Sequence, residues 1–87
     1  MRFHDVAVDR VERYAIGIEQ GSGRFYVAIP VSNRLVDYEE RYEIDEASFL
    51  RFRDDLATAR PFVERCRNRQ EDGRLIVEPG ADRGSAR

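Results

Sequence analysis

The chain has 87 residues, room for one domain, and a domain of this size buries only about 60–65 % of the surface its unfolded chain exposes. Its net charge of −2 offers no general attraction to nucleic acid, and its one cysteine, Cys66, excludes an intrachain disulfide and a cysteine-based zinc site. No apolar run reaches the length of a signal-peptide core or a membrane span, so a cytoplasmic protein is expected, with neither nucleic acid nor membrane as partner. All 15 basic residues are Arg, the side chain that binds carboxylates bidentately where Lys cannot.

Residues 1–12 alternate only weakly, since Val6 and Val8 are in phase and Val11 is not. They are expected to be a partly ordered lead-in to a single domain spanning 13–78. From 13 to 20 the alternation is clean, with Tyr14, Ile16 and Ile18 on one face and Ala15, Gly17 and Glu19 on the other. That predicts a strand. Gly21-Ser22-Gly23 supplies the positive φ values of a tight turn, and no helix follows it, which argues against a phosphate-cradling loop.

A second strand is predicted over 24–32, with Phe25, Val27, Ile29 and Val31 facing one way and Tyr26, Ala28 and Pro30 the other. Pro30 has no N–H for a ladder, so it marks an edge or, in a central strand, a bulge. Ser32-Asn33-Arg34 turns the chain. Over 35–44 the faces divide most sharply. Val36, Tyr38, Glu40, Tyr42 and Ile44 share one side, and Asp37, Glu39, Arg41 and Glu43 form a charged ridge on the other.

Asp45 stands where an N-cap belongs, and Phe49, Phe52, Leu56, Ala59 and Val63 recur at helical spacing. Proline in a helix interior costs about 3 kcal/mol, so Pro61 is expected to end one helix near Ala59 and to open a second that runs to about Asn68. Leu75-Ile76-Val77 suggests a last strand within 74–78. Residues 79–87 read as a tail that stays disordered unless a partner orders it.

Glu40 is the most informative side chain, because alternation places its carboxylate on the face that packs inward. A buried carboxylate needs a cation or hydroxyl, or its pKa rises. The structural expectation is an ion pair with an Arg from a helix, or a bulge that turns Glu40 outward. The functional one makes it the centre of a pocket with Tyr38 and Tyr42.

The segment 37–46 carries six carboxylates against Arg41. Same-side strand residues stand roughly 6.5–7 Å apart, too far for a metal cage without other ligands. A solvated face or an acidic docking surface fits better. Glu39 and Glu40 point to opposite faces and cannot act as a glycosidase pair. Arg60, Arg65, Arg67, Arg69 and Arg74 form the opposite pole, partly offset by Glu64, Glu71 and Asp72. Cys66 falls on the apolar side with Phe62, and His4 is the only histidine, so nucleophile–base catalysis lacks its usual parts.

Phe25-Tyr-Val-Ala-Ile-Pro-Val-Ser-Asn33, Val36-Asp-Tyr-Glu-Glu-Arg-Tyr-Glu-Ile44, Phe62-Val-Glu-Arg-Cys-Arg67 and Arg74-Leu-Ile-Val-Glu-Pro-Gly-Ala-Asp-Arg-Gly84 resemble small uncharacterised bacterial proteins, some of them similar to immunity proteins of polymorphic or contact-dependent toxin systems. The resemblance implies a cytoplasmic protein that masks a toxin, with 37–46 set against a basic nuclease. It carries no catalytic or binding residue over to a position in this chain.

The expected fold is α+β: a three- or four-stranded antiparallel meander with two short helices on one face. The expected function is noncatalytic protein binding, as an immunity-type inhibitor of a cognate toxin, through Asp37, Glu39, Glu43, Tyr38 and Tyr42, with no cofactor or metal. The alternatives are a small-molecule or enzymatic pocket around Glu40, Tyr38 and Tyr42, and a structural or regulatory homo-oligomer.

Overall fold

A computed structural model describes the whole chain, Met1–Arg87, as an α+β domain. Strands β1 (Phe3–Asp9), β2 (Tyr14–Glu19), β3 (Phe25–Ser32) and β4 (Asp37–Ile44) form an antiparallel meander in the order β1-β2-β3-β4, and a two-residue β5 (Ser85–Ala86) pairs with β3. Helices α1 (Glu46–Asp54) and α2 (Arg60–Arg67) follow β4, linked by a 3₁₀ turn, Leu56–Ala59. No helix is long and apolar enough to cross a membrane.

Side-chain acceptors set the turns. The Asp9 carboxylate receives the N–H groups of Val11 and Glu12, and Arg67 of α2 reaches back to the carbonyls of Glu12 and Arg13. The Glu19 carboxylate gathers the N–H groups of Gly21, Ser22 and Arg2 at 2.8, 2.8 and 3.0 Å, and Gly23 supplies the positive φ of +75° that closes the turn. Asn33 accepts from Leu35 and Val36, an Asx turn between β3 and β4.

Asp45 caps α1 through the Ser48 N–H at 2.8 Å, and Asp55 caps the 3₁₀ turn through Ala57. Pro61 lies in the first turn of α2, where a missing N–H costs nothing. Phe49 and Phe52 of α1 and Phe62, Val63 and Cys66 of α2 then meet Tyr14, Ile16, Val27, Ile29, Val31, Tyr42 and Ile44 in one core. Burying each of the larger of these side chains is worth about 1.5–3 kcal/mol, which fixes the helices to this face. The opposite face carries a smaller patch of Ala15, Tyr26 and Ala28, flanked by Phe3 and Ile76.

Several expectations are corrected. The lead-in is a strand: β1 pairs with β2 along its length, and Val6 is the extra residue of an irregularity between Asp5 and Ala7 that throws the alternation out of phase. Pro30 sits in a regular register opposite Glu39, with no bulge. β2 covers β3 only from Phe25 to Ala28, so the N–H that Pro30 lacks faces an edge that β2 has already left. β5 takes up that edge at Val31 and Ser32, and the Arg87 N–H bonds the Pro30 carbonyl at 3.2 Å.

Residues 74–78 form no strand. A short 3₁₀ turn, Asp72–Arg74, leads into one bridge between Leu75 and Tyr42 and one bond from the Ile76 N–H to the Arg41 carbonyl. Residues 79–87 do not run free as a tail: residues 82–87 bond back to the β3–β4 turn and to the sheet.

Candidate functional site

The regular register of β4 sends Glu40 inward, where it is only 7 % exposed. Its partner comes from the C-terminal segment, not from a helix. The Arg83 guanidinium donates to Glu40 Oε2 at 2.8 Å and Oε1 at 3.1 Å, and the Tyr42 hydroxyl donates to Oε1 at 2.9 Å. On its other side Arg83 donates to both oxygens of Asp72, at 2.7 and 2.9 Å.

One guanidinium thus joins two carboxylates, a strong and directional arrangement. Its hydrogen bonds to Asp72 and Glu40 hold Arg83 even more firmly protonated than usual, and the Arg83 bond holds the Asp72 carboxyl below the ordinary carboxylate range. Burial, reinforced by Glu40, pushes the Tyr42 hydroxyl up.

Tyr42 was expected on a partner-binding surface and is instead fully buried, with its hydroxyl 3.3 Å from the Cys66 carbonyl. Alternation along β4 puts Tyr42 beside Ile44 on the packed face, and that strand position excludes it from the surface. Tyr38 is half-buried and its hydroxyl accepts the Gly84 N–H at 2.7 Å. Tyr38 and Glu40 both line a cleft beside β4 and Tyr42 does not, and since Arg83 and Tyr42 take up the Glu40 oxygens, Glu40 has little left to offer a ligand there.

Asp37, Glu39 and Glu43 are exposed on the other side of β4, as alternation requires. Each faces an Arg of this chain: Asp37 meets Arg87 at 2.7 Å, Glu39 meets Arg41 at 4.0 Å and Glu43 meets Arg24 at 3.9 Å. Arg41 is not a wet member of a charged ridge. Its guanidinium lies 4.0 Å from the centre of the Phe3 ring, and its Nε is buried without a hydrogen-bond partner.

Around the β3–β4 turn the C-terminal segment builds two adjoining clefts. One, of about 510 Å³, lies between the turn at Asn33–Leu35 and residues 81–85. The other, of about 310 Å³, runs between β4 and residues 77–82, and Glu39, Glu78 and Asp82 are among its walls. Leu35, Val36 and Val77 are exposed at this end of the molecule, at 81, 56 and 59 %. Glu78 and Asp82 escape a sequence reading that takes 79–87 for a free tail and 74–78 for a strand.

Cys66 is buried in the core, and burial pushes its thiol up to about 12. His4 is exposed on β1. No three His, Cys, Asp or Glu side chains are gathered so as to hold a metal ion. No protein-family model, curated protein or solved structure matches the chain.

Proposed function

We propose that this protein is a noncatalytic protein-binding module that engages a basic partner through the end of the sheet around the β3–β4 turn. The observation that carries the reading is the company of Leu35, Val36 and Val77 there: large exposed apolar side chains beside the carboxylates of Asp37, Glu39, Glu78 and Asp82. An apolar centre with a charged rim is how a specific interface combines affinity with selection and a fast encounter. The Asp37–Arg87 pair is no obstacle, since an exposed ion pair is worth at most about 1 kcal/mol and a partner's Arg can replace it. In its narrowest form the module is a cytoplasmic immunity-type inhibitor that covers the basic active face of a toxin domain.

The test is affinity capture with the full chain and with a D37R/E39R variant, followed by titration of the purified partner. A basic protein held by the parent chain and released by the double charge reversal supports the proposal. A partner that binds both chains equally overturns the surface, and one that turns over a substrate only with this chain present overturns the inhibitor role.

Self-association is favoured by a different feature, the outer edge of β1, which no strand covers and which exposes Val6 and Val8. Light scattering on the eluting protein separates a monomer from a dimer.

A further inference from the structure

At the far end of the molecule from the β3–β4 turn, a cleft of about 320 Å³ opens between α1, the start of α2 and Arg74. Three arginines line it: Arg51, Arg65 and Arg74. Their position is set by the surroundings. Glu71 accepts from Arg65 Nε through Oε2 at 2.8 Å and from Arg74 Nε through Oε1 at 2.9 Å, so one carboxylate clamps two guanidinium groups side by side. Both also lie over the Phe62 ring, at 5.4 and 5.8 Å from its centre, and Arg51 lies 5.0 Å from the centre of the Phe52 ring.

The clamp uses only the inner nitrogen of each guanidinium. The outer fork of Arg65 stays free, that of Arg74 makes one long contact of 3.4 Å to the Glu43 carbonyl, and Arg51 takes part in no ion pair. Asp45 is the one carboxylate in the cleft wall, and it is engaged in capping α1 through Ser48. With Glu71 behind the arginines, three positive charges stand against two negative ones. The repulsion between the two clamped guanidinium groups and the nearby Arg51 is relieved by an anion that accepts from several of them at once.

We propose that this cleft binds a compact oxyanion with two or more charges, of the pyrophosphate or phosphate monoester class. Guanidinium groups already lie over Phe52 and Phe62, and both rings are buried, so no aromatic surface is left for a nucleobase to stack on. That favours a small phosphate compound over a nucleic acid strand. The site is independent of the protein-binding surface, which lies at the other end of the sheet.

Calorimetric titration of the full chain with inorganic pyrophosphate at low ionic strength tests it, with inorganic phosphate and sodium chloride as parallel arms. One saturable site for pyrophosphate is expected, with weaker binding of phosphate and none of chloride. Arg51→Gln should weaken pyrophosphate binding roughly tenfold, the loss of one hydrogen bond to a charged group, and Arg53→Gln, on α1 but outside the cleft, should leave it unchanged. Arg51 is exposed, so its replacement leaves the fold intact. Absence of saturable binding, or equal weakening by both substitutions, overturns the proposal.

Discussion

Arg83 holds Glu40 by two hydrogen bonds across 43 residues of sequence, and this pair locks the C-terminal segment to the sheet. Removing one partner leaves the other charge buried and uncompensated, which costs more than the pair itself contributes. Arg83→Met should therefore destabilise the protein by about 3 kcal/mol in urea unfolding at neutral pH. Adding Glu40→Gln should recover much of that loss, because the orphaned carboxylate disappears. A double variant no more stable than Arg83→Met alone would show that the two side chains are not energetically coupled.

The elements legible in the sequence are those whose burial is set by a regular local period. Tyr14, Ile16 and Ile18, then Val27, Ile29 and Val31, then Tyr42 and Ile44 alternate against the helices, and Phe49, Phe52, Leu56, Ala59 and Val63 recur at helical spacing, although Leu56 and Ala59 fall in the 3₁₀ turn that parts α1 from α2. Glu40 was legible as a buried carboxylate by the same rule. Its partner was not, because Arg83 is placed by pairing over a long sequence separation, and nothing within 79–87 signals order. β1 was obscured by its irregularity at Val6 and by exposure along most of its length. Leu75-Ile76-Val77 resembles a strand in composition, yet Leu75 packs on the main core and Ile76 on the opposite patch. The chain there crosses the edge of β4 instead of running along it.

The Glu19 carboxylate caps the β2–β3 turn, and its bonds from the N–H of Gly21, from Ser22 and from the N–H of Arg2 lower its pKa from 4.5 to about 2. A depressed folded-state value means that the ionised carboxylate stabilises the fold. That contribution is complete above the ordinary value of 4.5 and is lost as the pH falls toward 2. Glu19→Gln should flatten the acid limb of the stability–pH curve across that interval. In the parent chain the carboxyl carbon of Glu19, followed by NMR, should titrate well below those of the exposed glutamates.

Cys66 offers a chemical probe of opening. Its thiol, on the face of α2 that packs into the core, is pushed up to about 12 by burial, so almost no thiolate exists at pH 8 and reagents have no path to it. Reaction with a disulfide reagent at that pH should be slow in the native protein and fast in urea. Rapid native-state labelling would place Cys66 at the surface and undo the packing of α2 on the sheet.

Gly84 lies directly against the backbone at the end of β3, and its lack of a side chain is what permits the approach. A Cβ there would collide with the carbonyl of Ser32 and come within 2.9 Å of the Asn33 nitrogen, backbone atoms held by the β3–β4 turn. Since these cannot yield, Gly84→Ala should lift the segment instead, breaking the Gly84 N–H bond to the Tyr38 hydroxyl and the pairing of β5 with β3. The Arg87 amide, which donates to the Pro30 carbonyl, should then lose its protection from hydrogen exchange, and trypsin should cut faster after Arg83. Gly80→Ala is the matched control, because a Cβ at Gly80 meets nothing within 4 Å and its exchange pattern should not change. Retained protection at Arg87 in Gly84→Ala would mean that the side chain of Arg83 alone suffices to hold the strand in place.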